Sequence, residues 1–325
     1  MLTTSFASAS DVSDQKAKLV ELGRDVWAYA SPSDPNCGFV VGDDGVLAVD
    51  CRATPSLARE MIADIATVTD KPIKYVALTH YHAVRVMGAS AFGIEAIFAS
   101  RSTHRLIAER GAADLESETR RFPRLFKGAD EIPGLTWPKV TFDGEMRFHF
   151  GGREVLLRQL GRAHTAGDTI CAIPDAGVVF SGDLVENRCG VYTGDAYLSD
   201  WLDTLEALRA FPAGTVVPGR GAVMTDARSI HDGIDMTRLF LVALLSTTRQ
   251  SVDRGWSLRK AYEHTDAVMS REFGDWPLYG HVLPFGVARA YDELRGMVHP
   301  VVWTAARDAA LWQDLFGEVK EGHHD

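Results

Sequence analysis

Long apolar runs are scarce in this 325-residue chain. The longest, Leu239–Leu245, is far shorter than the roughly 20 residues a bilayer-spanning helix needs, so no membrane partner is expected. Basic clusters are missing too. The formal net charge of −10 repels a phosphate backbone, which argues against nucleic acid as a partner. Only four cysteines occur, Cys37, Cys51, Cys171 and Cys189, with no Cys-x-x-Cys pair among them. Such spacing suits buried, reduced thiols better than a zinc ribbon or a disulfide framework. The first dozen residues, rich in Ser, Ala and Thr, have neither a cationic start nor an apolar stretch, so they do not read as a secretory leader. The expectation is a cytoplasmic protein with a flexible tail over residues 1–20.

What the chain does have is an alternation of strand and helix signals over residues 21–225. Asp43-Asp44-Gly45 between Phe39–Val41 and Val46–Val49 predicts a hairpin, because Asp-Gly tolerates the tight turn between β-branched runs. Thr54 followed by Pro55 predicts a capped helix with Leu57, Met61, Ile62 and Ile65 on its buried stripe. Further strands are expected at Tyr75–Leu78, Val155–Leu157, Thr169–Ile173, Val178–Phe180 and Thr215–Val217. One helix is expected from Ser102 to a stop at Gly111, and another capped by Ser199 with Leu202, Leu205 and Leu208 inward. Hairpins mixed with helices exclude a strictly parallel doubly wound sheet.

Beyond Gly221 the pattern turns helical. Ser229–Val252, Ser257–Phe273, Pro284–Met297 and Thr304–Phe316 form a C-terminal helical extension over residues 226–325. It holds Trp256, Trp276, Trp303 and Trp312, four of the seven tryptophans. These are expected to be core residues or the interface of a homodimer.

Three segments carry the chemistry, each where a strand signal ends: Thr79-His80-Tyr81-His82-Ala83-Val84-Arg85, Ala163-His164-Thr165-Ala166-Gly167-Asp168-Thr169, and Phe180-Ser181-Gly182-Asp183. Residues two apart in extended backbone point the same way, so His80 and His82 can aim at one point. Neutral imidazole suits zinc and iron, and a carboxylate lowers the cost of holding a dication. Isolated histidines such as His104, His149, His231 and His264 carry no such context, and His323 and His324 sit in the tail.

The order and wording of these segments resemble the metallo-β-lactamase superfamily, whose motifs read T-H-x-H-x-D-H, H-T-x-G-D and S/A-G-D, with a final P-G-H-G turn. Val46–Asp50 and Val216–Gly221 fit the flanks. The resemblance covers about residues 25–225. It implies an α/β fold, an αββα sandwich with the site along one edge of the sheets. It also implies one divalent ion, Zn2+ first and Fe2+ or Mn2+ as alternatives, on His80, His82, His164 and Asp183. Asp50, Asp168 and Thr79 would orient those ligands.

The departures lie together. The first motif's Asp and its third His are replaced by Val84 and Arg85, and the His of the final turn by Arg220. All three positions serve the family's second metal. Val has no donor atom and Arg keeps its proton, so a second dication cannot bind in the family's manner. Arg85 and Arg220 are then read either as fixed positive charge that neutralises Asp183 and holds an anionic substrate, or as structural partners of Asp183 or Asp50. His281 and Tyr279, in an aromatic-rich turn, are further candidates for substrate contact. The expected activity is hydrolysis of an ester, lactone, thioester or amide of a small molecule by metal-bound water, with Asp183, Arg85 and Arg220 assisting. A mononuclear iron oxygenase and a non-catalytic metal-binding protein are the rival readings.

Overall fold

The structure, a computed structural model, describes residues 16–317. Residues 1–15 of the expected tail and the His323-His324 pair fall outside those residues, whereas Lys18–Val20, expected to belong to the tail, lie in a strand paired with Ala28–Ala30. The first half opens with strands β1 (Lys18–Gly23), β2 (Val26–Ala30), β3 (Cys37–Val41) and β4 (Val46–Val49), then helix α1 (Pro55–Ile65) and strand β5 (Ile73–Ala77). A single turn, α2 (Ala83–Val86), leads to β6 (Ala96–Ser100), the long helix α3 (Arg101–Arg121) and β7 (Val140–Phe142). The second half begins with β8 (Glu145–Phe150), β9 (Arg153–Arg158), β10 (Ile170–Ile173) and β11 (Val178–Glu186), followed by α4 (Leu198–Arg209) and β12 (Thr215–Arg220). Four helices close the chain: α5 (Ala227–Asp253), α6 (Leu258–Phe273), α7 (Tyr279–Leu294) and α8 (Ala305–Phe316).

Strands β1 to β7 form one sheet in chain order, and β12-β11-β10-β9-β8 form a second. Both are mixed: β3–β4 is antiparallel while β4–β5 and β5–β6 are parallel, and β11–β12 is the parallel pair of the second sheet. The side chains sort into layers. Phe39, Met61, Val76, Ile97 and Ile107 lie between the first sheet and α1 with α3. Val40, Leu47, Phe142, Leu157 and Phe180 fill the space between the sheets. Trp201, Leu205, Phe240, Leu244, Phe285 and Trp303 join the outer face of the second sheet to α4 and the C-terminal helices. This is the αββα sandwich with its helical extension. The helices share one continuous core with the second sheet.

Local chemistry explains most boundaries. Thr54 Oγ1 accepts from Leu57 N at 3.2 Å and Pro55 opens α1, where only Met61 and Ile65 of the expected stripe are fully buried. Ser257 and Thr304 cap α6 and α8 with their hydroxyls. Four expectations fail. Helix α3 does not stop at Gly111 but runs to Arg121, with Ser100 as its cap. Ser199 does not cap α4, because its N–H and hydroxyl are spent on Glu293. Helix α7 starts at Tyr279 and contains Pro284 rather than beginning there. Strand β11 continues past Phe180 to Glu186, a bulge at Gly182 (φ +53°) accommodating the break in register. The four cysteines are buried and unpaired. Of the four tryptophans, Trp303 is in the core and Trp276 and Trp312 pack against it.

Candidate metal centre

His80 and His82 follow β5, His164 lies in the loop before β10, and the three rings meet edge to face with centroids 4.7 to 4.9 Å apart. One nitrogen of each lies within 4.8 Å of the others. The outward nitrogens decide what those facing ones are. His164 Nδ1 is 2.9 Å from the carbonyl oxygen of Tyr192, which only accepts, so Nδ1 carries the proton. His82 Nε2 is 3.1 Å from Asp195 Oδ2. The Thr79 hydroxyl donates to Asp50 Oδ2 at 2.8 Å, which leaves it to accept from His80 Nδ1 at 3.1 Å. In the neutral tautomers, His80 Nε2, His82 Nδ1 and His164 Nε2 are thus bare lone pairs.

Two of these lone pairs, His82 Nδ1 and His164 Nε2, face each other at 2.9 Å. His80 Nε2 is buried with no hydrogen-bond partner. Converging lone pairs repel, and only a cation reconciles them. The donor set fits a divalent metal. Burial holds the pKa of His80 well below its usual value and takes that of His164 down to about 3, keeping both neutral. Burial opposes charge on His82 as well, but Asp114, Asp195 and Glu118 outweigh it and push that pKa up to about 9.

Asp183 stands beside the trio, its Oδ2 3.4 Å from His164 Nε2 and 3.7 Å from His80 Nε2. Arg85 donates to its Oδ1, and Arg220 Nη1 reaches its Oδ2 at 3.2 Å and Glu186 Oε1 at 2.9 Å. Against the cost of burial, the two guanidiniums hold Asp183 well below the usual carboxylate range. Arg85 is wholly buried; it also donates to Asp50 Oδ2 at 3.3 Å and to the carbonyls of Asn36 and Gly219, each at 2.7 Å. Its Nη atoms are committed to protein oxygens, which makes it a neutraliser of Asp50 and Asp183. Arg220, by contrast, lines the small cavity at the trio.

The supporting residues hold the loops. Asp50 accepts from Thr79 N and Oγ1, each at 2.8 Å, and Asp168 accepts from Thr165 N at 2.9 Å and Oγ1 at 2.6 Å. Burial pushes Asp168 up to about 7. Two expected substrate contacts lie elsewhere. The Tyr279 hydroxyl donates to Asp266 at 3.0 Å, inside the helical layer. The His281 ring packs on Phe122, centroids 4.2 Å apart. Their neighbours Leu278 and Val282 line the cavity instead, with Phe122, Tyr192, Glu118 and Val84.

That cavity holds only about 10 Å³, and none of the trio, Asp183 or the two arginines is more than 5% exposed. A cleft of about 630 Å³ lies elsewhere, on the second sheet near α4, lined by Leu156, Ala172, Val179 and Phe211. Its charged rim, Arg147, Glu154 and Arg158, is paired surface charge. The titratable groups converge at the small cavity and not at this cleft.

A family model of the metallo-β-lactamase superfamily matches residues 30–220. The chain belongs to that superfamily. Its relatives are distant. A linear primary-alkylsulfatase from a Pseudomonas species is 22% identical over 252 residues, 67% of this chain and 47% of that protein. The chain therefore spans about half the length of that relative. A type 2 metallo-β-lactamase of Bacillus cereus is 24% identical over 223 residues, 65% of this chain and 79% of the lactamase. Among solved structures, a metallo-β-lactamase from Pontibacter korlensis aligns with TM-score 0.56 and 21% identity, covering 69% of this chain and 98% of its own. A sec-alkylsulfatase aligns with TM-score 0.69 and 15% identity over 86% of this chain and 50% of its own. The second likeness reaches further along this chain than the first.

The motif histidines were legible in the sequence. The carboxylates around His82 were not. Asp114 Oδ2 accepts from Ala83 N at 2.7 Å and Glu118 Oε2 from Val84 N at 2.9 Å, so two turns of α3 cap α2 directly after His82. Asp195 accepts from Tyr81 and Arg110 as well as His82. His82, Asp114 and Asp195 lie close enough together to suggest a second ion. Those carboxylate oxygens already accept from an amide, a hydroxyl and a guanidinium, so the group supports the trio. The i, i+4 acidic pair Asp114 and Glu118 is the available signal, and it lies beyond the expected helix stop at Gly111.

Proposed function

We propose that this superfamily member is a hydrolase working with a single divalent ion, zinc foremost, on a small substrate bearing an anionic or carbonyl group. The observation that carries this reading is the set of three converging lone pairs beside a carboxylate already neutralised by Arg85 and Arg220. His80, His82 and His164 would hold the ion, with Asp183 in reach. When bound, a dication supplies a Lewis acid that acidifies water and polarises the scissile group.

The remaining roles belong to the chain. Asp183, held ionised by two guanidiniums, orients a water molecule by accepting its hydrogen bond and is too weak a base to keep the proton. Arg220, at the cavity wall, places fixed positive charge where negative charge develops on the substrate. The apolar side chains of Phe122, Leu278 and Val282 keep bulk solvent from the cavity. With Arg85 spent on Asp50 and Asp183, no donor on Val84 and a guanidinium at Arg220, the second metal position keeps only Asp183 as a ligand.

Metal analysis of protein purified without added metal, joined to a panel of esters, lactones, thioesters, β-lactams and alkyl sulfates, tests this. Alkyl sulfates belong in the panel because the alkylsulfatase likeness extends over 86% of the chain. The expected result is about one zinc per chain and turnover that disappears in His164→Ala. A ratio near two, or oxygen uptake with bound iron, sinks the proposal. We propose in addition that the chain is a dimer joined through α5–α8, where Leu239, Val268, Val298 and Phe316 are exposed; a monomer mass in light scattering would refute that.

A further inference from the structure

The buried network behind His82 assigns a role to a residue outside the motifs. Asp195 lies in the loop between β11 and α4, its side chain only 4% exposed. Its Oδ2 accepts from the Tyr81 hydroxyl at 2.7 Å and lies 3.1 Å from His82 Nε2, while Arg110 Nη1 donates to Oδ1 at 2.9 Å. The same guanidinium reaches the carbonyl of Pro300 at 2.9 Å, which ties the carboxylate to the segment that enters α8. Tyr81 and Arg110 thus fix the carboxylate from two sides, and His82 is the third group to meet it.

A carboxylate can only accept, so the proton of His82 must sit on Nε2 and the lone pair on Nδ1, the atom facing His164. The other carboxylate beside the trio is differently placed, because Asp183 shares its charge with both Arg85 and Arg220. We propose that Asp195 is the positioning residue of the metal centre: it sets the tautomer and orientation of His82 and supplies, through that ring, the anionic support that Asp183 gives up to the arginines. Asp195 touches neither the ion nor a substrate. Its effect is a more basic and better aimed imidazole, of the kind that alters metal affinity about 10- to 100-fold.

The inference rests on the metal reading above, and the test separates the two. Zinc affinity is measured by competition with a chromophoric chelator for the wild-type chain, Asp195→Asn and Tyr81→Phe, with circular dichroism and thermal melting of each metal-free protein. The expected result is a loss of about 10- to 100-fold in Asp195→Asn, with Tyr81→Phe, which keeps the carboxylate, close to wild type. A folded Asp195→Asn that binds zinc within twofold of wild type overturns the inference while leaving the metal centre intact. A wild-type chain that takes up no zinc overturns both. Should Asp195→Asn not fold, histidine 15N spectra of the zinc-loaded wild type decide: His82 with a protonated Nε2 and a coordinated Nδ1 supports the role of Asp195, and the reverse pattern overturns it.

Discussion

The two flanks of the histidine trio each gather three carboxylates but pair them differently. On the β11–β12 side, two guanidiniums close on Asp183, with Asp50 and Glu186 behind them. On the α3 side, Asp114, Glu118 and Asp195 gather under His82 with one guanidinium, Arg110. In the function proposed above, the guanidiniums of the first flank supply positive charge in place of a second cation. The second flank is built to hold backbone and ring orientation. The difference shows that the number of charges near a site says little. What matters is which donors and acceptors remain after the protein's own contacts are made.

The largest effect is expected from removing a ligand common to both flanks. In His164→Ala the lone-pair cluster loses one of three corners, and bound zinc should fall from about one per chain to near zero while far-ultraviolet dichroism is unchanged. Retention of stoichiometric zinc by that variant would remove the trio from consideration as the centre.

Next in size is Arg85→Met, which tests the flank with two guanidiniums. It strips Asp50 of its guanidinium and leaves Asp183 with Arg220 alone, all of them buried. Breaking a buried pair by deleting one partner costs about 3–5 kcal/mol, to be read from urea unfolding. Arg110→Met on the other flank should cost less, since Asp195 keeps Tyr81 and His82. Equal costs would mean that the two flanks are not as different as their geometry says. Chelation should have a smaller effect than Arg85→Met. With free zinc at 100 times its dissociation constant, bound metal adds about 2.7 kcal/mol to the folded state, so calorimetry with and without chelator should show a lower midpoint for the stripped protein. An unchanged midpoint would argue that the ion binds the unfolded chain as well.

How far the sequence foretold this site follows the same division. The individual strands and helices were legible because apolar runs, Asp43-Asp44-Gly45 and the Thr54-Pro55 cap act locally, while their arrangement as a sandwich was implied only by the resemblance of the motifs to the superfamily. His80, His82 and His164 were legible because they arrive inside motifs. Asp195 was not, since its partner His82 is 113 positions away and nothing local marks the pair. Arg85 was half legible: its type excluded metal ligation, yet only the fold shows that Asn36, Asp50, Asp183 and Gly219 use its Nη donors. Strand β11 was cut short because the bulge at Gly182 interrupts the apolar pattern just before Asp183.

The smallest predicted effect concerns Gly111, where reading glycine as a helix stop hid the anionic flank. Glycine costs up to about 1 kcal/mol relative to alanine within a helix, and α3 absorbs that cost because tertiary contacts hold its later turns. Asp114 and Glu118 are anchored on the amides of Ala83 and Val84, and Arg121 lies 3.7 Å from Asp308 on α8. A methyl group at Gly111 would meet Leu135 at 3.4 Å and Ile107 at 3.6 Å, ordinary contact distances. Gly111→Ala should therefore stabilise the protein by about 0.5–1 kcal/mol without changing zinc affinity. A destabilised variant would mean that Leu135 cannot yield. A variant with altered zinc affinity would mean that the strain of this turn is transmitted through Asp114 to the loop bearing His82, and that the two flanks are coupled along α3.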